Sequence, residues 1–174
     1  EDAQVLRELQ RLRERGLFLG VTTSGPRQLQ TLRRAIEIRF DGVPLFSAVQ
    51  ATWNLLERSA EPGLREAHEA GLTVLVKEPL SNGLLTPKGE EGKAGPLRAV
   101  ADRLHASADA VALAFVAKEP WADVVLLGSA TPAQLDSNLG ATAIRLSEED
   151  LAVLDELRIP SEDYWARRAL LAWN

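Results

Sequence analysis

Apolar residues recur along this chain at two spacings, and the alternation between them sets out its elements. Val5, Leu6, Leu9 and Leu12 stand at helical spacing among polar residues; Arg11, Arg13 and Arg15 put cations where a helix C-terminus favours them, and Gly16 stops the run. Leu17 to Val21 is a continuous apolar run, the pattern of a strand buried on both faces. Thr22-Thr23-Ser24-Gly25-Pro26 is then a loop leading into a helix with proline in its first turn. The same succession returns twice. Leu45 to Val49 predicts a strand before a helix from about Pro62 to Ala70, and Leu72 to Val76 a strand before a helix marked by Leu97, Val100, Ala101 and Leu104. A further helix starts after Ser107 and stops before Pro120. In the last unit, Val124 to Leu127 reads as a strand. Thr131-Pro132-Ala133-Gln134 after it fits a capping box, with Thr131 as N-cap, Pro132 at N1 and Gln134 at N3. Ser147-Glu148-Glu149-Asp150 opens one more helix through about Leu157, followed by an aromatic tail over residues 161–174 with Tyr164, Trp165 and Trp173.

Four strand-helix units predict an α/β fold with a parallel sheet. Neither G-x-G-x-x-G nor G-x-x-x-x-G-K-[ST] occurs, which weighs against a doubly wound nucleotide-binding sheet. The 174 residues fall short of the roughly 200 to 250 of a complete barrel, so the chain is read as one unit, a partial (β/α)8 barrel. The outer edges of the runs 17–21 and 124–127 then lack neighbours and carry no Pro or Lys to blunt them. A missing half-barrel, or a second copy, is expected to cover them.

Charge narrows the function. A formal net charge of −5 and a sequence pI near 5.2 exclude a nucleic-acid binder, which needs surplus cations. Residues 1–40 carry 8 Arg against 5 acids, read as solvated helix faces. The apolar stretch Val111 to Ala117 is far shorter than the roughly 18 residues of a membrane span, and the first residues are acidic; a soluble, cytoplasmic protein is expected. With no Cys and two separated His, His68 and His105, a disulfide framework, a thiolate nucleophile and a histidine metal cluster are not expected. With no Met, the numbering holds no initiator, which points to a fragment or a processed product.

In parallel α/β folds the ligand lies at the carboxyl ends of the strands. Those ends carry Thr22, Thr23 and Ser24; Gln50 and Asn54; Lys77 to Gly83; and Gly128 to Thr131. The set is rich in amides, hydroxyls and glycines and lacks a Tyr or His to act as general acid, which suits holding a polar ligand rather than transferring protons. Gly128-Ser129-Ala130-Thr131 opens a capped helix, so its amides are a candidate anion cradle and equally an ordinary cap. Gln50 can bind a carboxamide or satisfy loop backbone. Lys77 can present its charge or stem to a ligand, or pair with Glu78 or another acid.

These strand ends also carry a family likeness. Gly20-Val21-Thr22-Thr23-Ser24, the Val49-Gln50 to Asn54-Leu55-Leu56 segment and Pro79-Leu80-Ser81-Asn82-Gly83-Leu84-Leu85-Thr86 resemble, in order, three motifs of the aldo-keto reductases. Gly128-Ser129-Ala130-Thr131-Pro132-Ala133-Gln134-Leu135 with Asn138 resembles the family's final cofactor segment, and Val111 to Val116 the helix before it. From about residue 5 to residue 160 the chain is similar to the C-terminal half of such a protein. The resemblance implies strands five to eight of a (β/α)8 barrel, an NADPH or NADH cofactor and a small carbonyl substrate for the parent protein. It places Thr22, Thr23 and Gln50 at the nicotinamide carboxamide and Lys77 where many members stack a Tyr on the ring. Leu80, Asn82 and Gly83 fall on the loop around the pyrophosphate, and Ser129, Gln134 and Asn138 on phosphate and adenine positions. Gln134 and Gly128 stand where NADPH-specific members carry Arg and Lys. The family's Asp, Tyr, Lys and His catalytic set lies outside this chain, so the chain alone is expected to be inactive. The alternative is a non-catalytic half-barrel that binds a nucleotide or a protein partner.

Overall fold

A computed structural model describes residues 2–171. α1 (Asp2–Glu14) leads into β1 (Gly20–Thr22) and α2 (Gln28–Glu37). A short hairpin, β2 (Arg39–Phe40) and β3 (Val43–Pro44), precedes β4 (Ala48–Thr52), α3 (Glu61–Glu69) and β5 (Thr73–Lys77). After a long loop come α4 (Glu90–Lys93), α5 (Gly95–Arg103), α6 (Ala108–Ala117) and β6 (Val124–Val125), then α7 (Pro132–Gly140), α8 (Glu148–Asp155) and α9 (Ser161–Leu170).

β1, β4, β5 and β6 form one parallel sheet in chain order, with Thr22 beside Gln50, Gln50 beside Leu75, and Leu75 beside Val124. Alternation along the strands separates two faces. Val49, Ala51, Val74 and Val76 are fully buried beneath the helices, whereas Thr22, Thr73 and Val124 on the opposite face are exposed and Gln50, Leu75 and Lys77 only half-buried. A parallel sheet with one covered face is the arc of a (β/α)8 barrel, its bare face turned to the barrel interior.

The core lies between sheet and helices. α6 is apolar on all sides, as its sequence Ala-Val-Ala-Leu-Ala-Phe-Val-Ala requires of a helix packed against α4, α5 and α7 together. Trp53, just past β4, lies parallel to Phe115 of α6 at 5.2 Å between ring centroids and meets Trp121 edge-on at 4.9 Å. Arg58 covers the other part of Phe115, 4.6 Å from its centroid, and bonds Asp155 and the Leu154 carbonyl of α8. Burial pulls its pKa below the usual arginine value while Asp155 opposes that shift.

Several expectations need correction. The run 17–21 is not buried on both faces: β1 spans only Gly20–Thr22, and Phe18 is 91% exposed, because this edge strand turns Val21 alone toward the helices. β4 and β5 start later than their apolar runs and continue into Gln50-Ala51-Thr52 and Lys77; ladder pairing, rather than hydrophobicity, sets their ends. β6 stops at Val125, with one further ladder-like bond from the Leu126 amide to the Val76 carbonyl. α8 ends at Asp155, ahead of Leu157. The β2–β3 hairpin was not expected, although Asp41-Gly42, both at positive φ, is the dipeptide that a tight two-residue turn favours. Within the segment read as an aromatic tail, Ser161–Leu170 forms α9, and Trp173 lies outside the described residues. Both capping boxes form, Thr131 with Gln134 and Ser147 with Asp150. Among the described residues no helix is long and apolar enough to cross a membrane, and no group of three His, Cys, Asp or Glu could hold a metal ion.

Candidate functional site

At the carboxyl ends of β1, β4 and β5, four side chains join in one strip. The Thr22 hydroxyl donates to Gln50 Oε1 at 2.8 Å, and Lys77 Nζ donates to Ser24 Oγ at 2.7 Å and to Thr22 Oγ1 at 3.4 Å. Their shared register places them on the bare face of the sheet. Among the described residues the Gln50 amide nitrogen has no hydrogen-bond partner. Thr23 does not join the strip: it is buried, and its amide donates to the Gln50 carbonyl at 2.8 Å.

Lys77 takes hydroxyl partners and not Glu78, which is engaged elsewhere. Burial, with Arg168 adding to it, draws the Lys77 pKa below the ordinary lysine value, and Glu78 pulls the other way. A lowered lysine pKa means that the folded chain favours the neutral amine more than a free lysine does. Reductive ¹³C-methylation followed by an NMR titration is therefore expected to give Lys77 a midpoint below the reference value of about 10.4. A midpoint at or above that value would contradict the burial.

Beyond the strip lies a cavity of about 430 Å³ between the loop after β5 and the start of α7; Leu80, Asn82, Gly83, Ser129, Gln134 and Asn138 all line it. The structure thus brings together the residues singled out on two distant segments. Asn138 Nδ2 donates to Ser129 Oγ at 2.8 Å, which ties α7 to the turn before it. The candidate anion cradle at residues 128–131 is largely closed. The amides of Ala130 and Thr131 donate to Gln134 Oε1 at 2.8 and 3.2 Å, because the capping box draws that side chain back onto the helix start.

The loop along the cavity is strained. Glu78, Ser81 and Asn82 all have positive φ, at 54°, 47° and 51°, which non-glycine residues rarely adopt. Neighbouring elements hold it there. Asn54 Nδ2 donates to the Glu78 carbonyl at 2.9 Å, and the Glu78 carboxylate accepts from Arg168 at 3.1 and 3.3 Å and from Asn82 Nδ2 at 3.2 Å. The Tyr164 hydroxyl, on α9, sits 3.2 Å from both Asn54 Nδ2 and Ser81 Oγ. Further along, a Cβ at Gly92 would overlap the Thr86 carbonyl, so the chain doubles back tightly there.

Beneath the strip, the Gln28 side chain acts as an extra rung at the end of β4: Oε1 accepts from the Thr52 amide at 3.2 Å and Nε2 donates to its carbonyl at 3.0 Å. His68 and His105 are exposed and away from the strand ends, as expected; His68 lies 3.3 Å from Asp123. Sequence reasoning missed Asp109, Tyr164 and Arg168 as parts of this region. Asp109 sits inside an apolar helix run and the other two on the segment read as a tail.

Residues 2–159 match the pattern described as the Aldo/keto reductase family. No curated protein matches the chain. Among solved structures, an aldose reductase from Giardia lamblia superposes with a TM-score of 0.66 at 22% identity, over 89% of this chain and 50% of that one. A thermostable aldo-keto reductase solved with the inhibitor epalrestat gives a TM-score of 0.66 at 26% identity, over 87% of this chain and 53% of that one. The chain spans about half the length of these structures.

Proposed function

Because the chain belongs to the aldo/keto reductase family, an oxidoreductase family, we propose that it is the cofactor-holding, C-terminal half of a reductase that uses NADPH or NADH to reduce an aldehyde or ketone. The observation that carries this reading is the joining of the polar strip and the cavity along one rim of the sheet. Thr22, Gln50 and Lys77 stand at one end; Leu80, Asn82, Gly83, Ser129, Gln134 and Asn138 surround the other.

The residues present fit such a group. Gln50 offers an amide that can both donate to and accept from a nicotinamide carboxamide, and Lys77 brings an aliphatic stem and a cation beside it. The nicotinamide, when bound, supplies the hydride that reduces a carbonyl carbon. Thr23 holds the end of β4 in place through the hydrogen bonds of its amide and hydroxyl to the Gln50 carbonyl.

Among the described residues, no tyrosine or histidine stands in the strip to give a proton to the carbonyl oxygen. Tyr164, the single tyrosine, is 2% exposed and hydrogen-bonded to Asn54 and Ser81, and burial raises its pKa above the usual tyrosine value. The chain alone is therefore expected not to reduce carbonyls, and the parent protein acts on a small carbonyl substrate once a further half-barrel or a second copy closes the sheet. Titration with NADH and with NADPH, followed by nucleotide fluorescence with the mass from light scattering, tests the reading. Saturable binding supports it; failure of both nucleotides on a folded chain overturns it in favour of a half-barrel with no cofactor.

A further inference from the structure

The strip on the bare face of the sheet holds a nucleophile as well as a cation. Lys77 Nζ makes two hydrogen bonds, to Ser24 Oγ at 2.7 Å and to Thr22 Oγ1 at 3.4 Å, and among the described residues it forms no ion pair. An ammonium has three N–H donors, whereas a neutral amine has two and a lone pair. The two hydroxyls therefore match the neutral amine and leave its lone pair uncommitted. Glu78, the acid next in sequence, bonds Arg168 and Asn82 instead. Burial and Arg168 both favour the neutral form of Lys77, and Glu78 opposes them. Lys118, by contrast, is held by Glu119 at 2.6 Å. The groups around the amine suit a reaction at a carbonyl. Thr22 passes its own proton to Gln50 Oε1, while the Ser24 hydroxyl proton has no acceptor among the described residues. Gln50 Nε2 has no partner there either, and its N–H donors are of the kind that steadies an oxyanion.

We propose that Lys77 is the nucleophile of a carbonyl-capture site: it condenses with a small aldehyde to form an imine, with Ser24 supplying a proton and Gln50 Nε2 holding the carbonyl oxygen. The amine lone pair attacks the carbonyl carbon, the C=O π pair moves to oxygen, and that oxygen takes a proton from Ser24 Oγ. The nitrogen, now bonded to carbon, returns a proton to Ser24. The neutral carbinolamine then loses its hydroxyl with the last N–H proton as water, and C=N forms. One amine and one aldehyde thus give one imine and one water, with nothing oxidised or reduced. A lysine relieved of its charge by burial is a general means to such an imine. Tyrosine and histidine have no part in these steps, which suits a strip that contains neither. The capture draws on the strip alone and requires no nucleotide, so its failure leaves the nucleotide titration above untouched.

The test treats residues 1–174, free of nucleotide, with propanal and sodium cyanoborohydride, which reduces an imine to a stable secondary amine. Peptide mass spectrometry then locates the labelled lysines. Lys77 is expected to take the propyl group about tenfold or more faster than Lys88 or Lys118, within the roughly 10²–10⁴ that a positioned proton donor contributes. Lys77→Arg should remove the fast phase from the mass of the intact chain while the slower lysines label as before. Ser24→Ala, checked for folding by circular dichroism, should bring Lys77 down toward the rate of Lys88 and leave Lys88 itself unchanged. Ser24→Thr returns a hydroxyl and should restore the fast labelling, which a merely structural role for Ser24 would not require. Equal rates at Lys77 and the other lysines, or a Lys77 rate that Ser24→Ala leaves unchanged, overturn the proposal.

Discussion

Trp53→Ala is expected to destabilise the fold by about 3–5 kcal/mol, the cost of deleting a large buried aromatic. Trp53 is 1% exposed and bridges the end of β4 to the centre of α6, stacked on Phe115 and set edge-on against Trp121. Its removal leaves a void that rigid neighbours on three sides cannot close. Trp53→Phe should lose much less, since the indole nitrogen is buried without a hydrogen-bond partner and its loss strands nothing. Urea unfolding followed by far-ultraviolet circular dichroism reads both variants. A loss below about 1 kcal/mol for the alanine variant would show that the aromatic cluster is not the keystone described here.

The second large effect lies on α9. Tyr164→Ala is expected to cost about 3–5 kcal/mol through lost packing, including the edge-on contact with Trp165 at 5.2 Å. Tyr164→Phe isolates the hydroxyl: it keeps the ring and should cost about 1–3 kcal/mol, because Asn54 and Ser81 lose a buried partner. The consequence for the site is specific. Hydrogen exchange should accelerate at residues 78–83, the strained loop, more than at β4 or β5, since strain persists only while its surroundings enforce it. If Tyr164→Phe left exchange in that loop unchanged, the hydroxyl would have no part in holding it.

The βα order was legible because each unit repeats an apolar run followed by helical spacing, and because Thr131 to Gln134 has one favourable local structure. The strand ends Thr22, Gln50 and Lys77 were found for the same reason: topology puts the residues after each run on one rim. Other features depend on contacts that no local period records. Tyr164 meets Asn54 across 110 residues and Ser81 across 83. Phe18 is apolar yet exposed because its strand lies at the sheet's edge. Gln134 had a readable role as a cap, but its effect on the anion cradle followed only once the side chain was seen closing on Ala130 and Thr131. Asp109 was hidden by its neighbours, since a single acid in an apolar helix reads as solvent-facing.

One property of the sheet bears on how the chain is made. Its strands lie side by side in the order in which they are synthesised, β1, β4, β5, β6. During translation each strand can therefore dock on one already emerged, and no strand has to be inserted between two that are already paired. Such sequential docking keeps the closing loops short and the entropic cost of each step low. The same arrangement makes the βα unit modular: a unit joined at the free edge of β1 or β6 extends the ladder without disturbing any existing pairing.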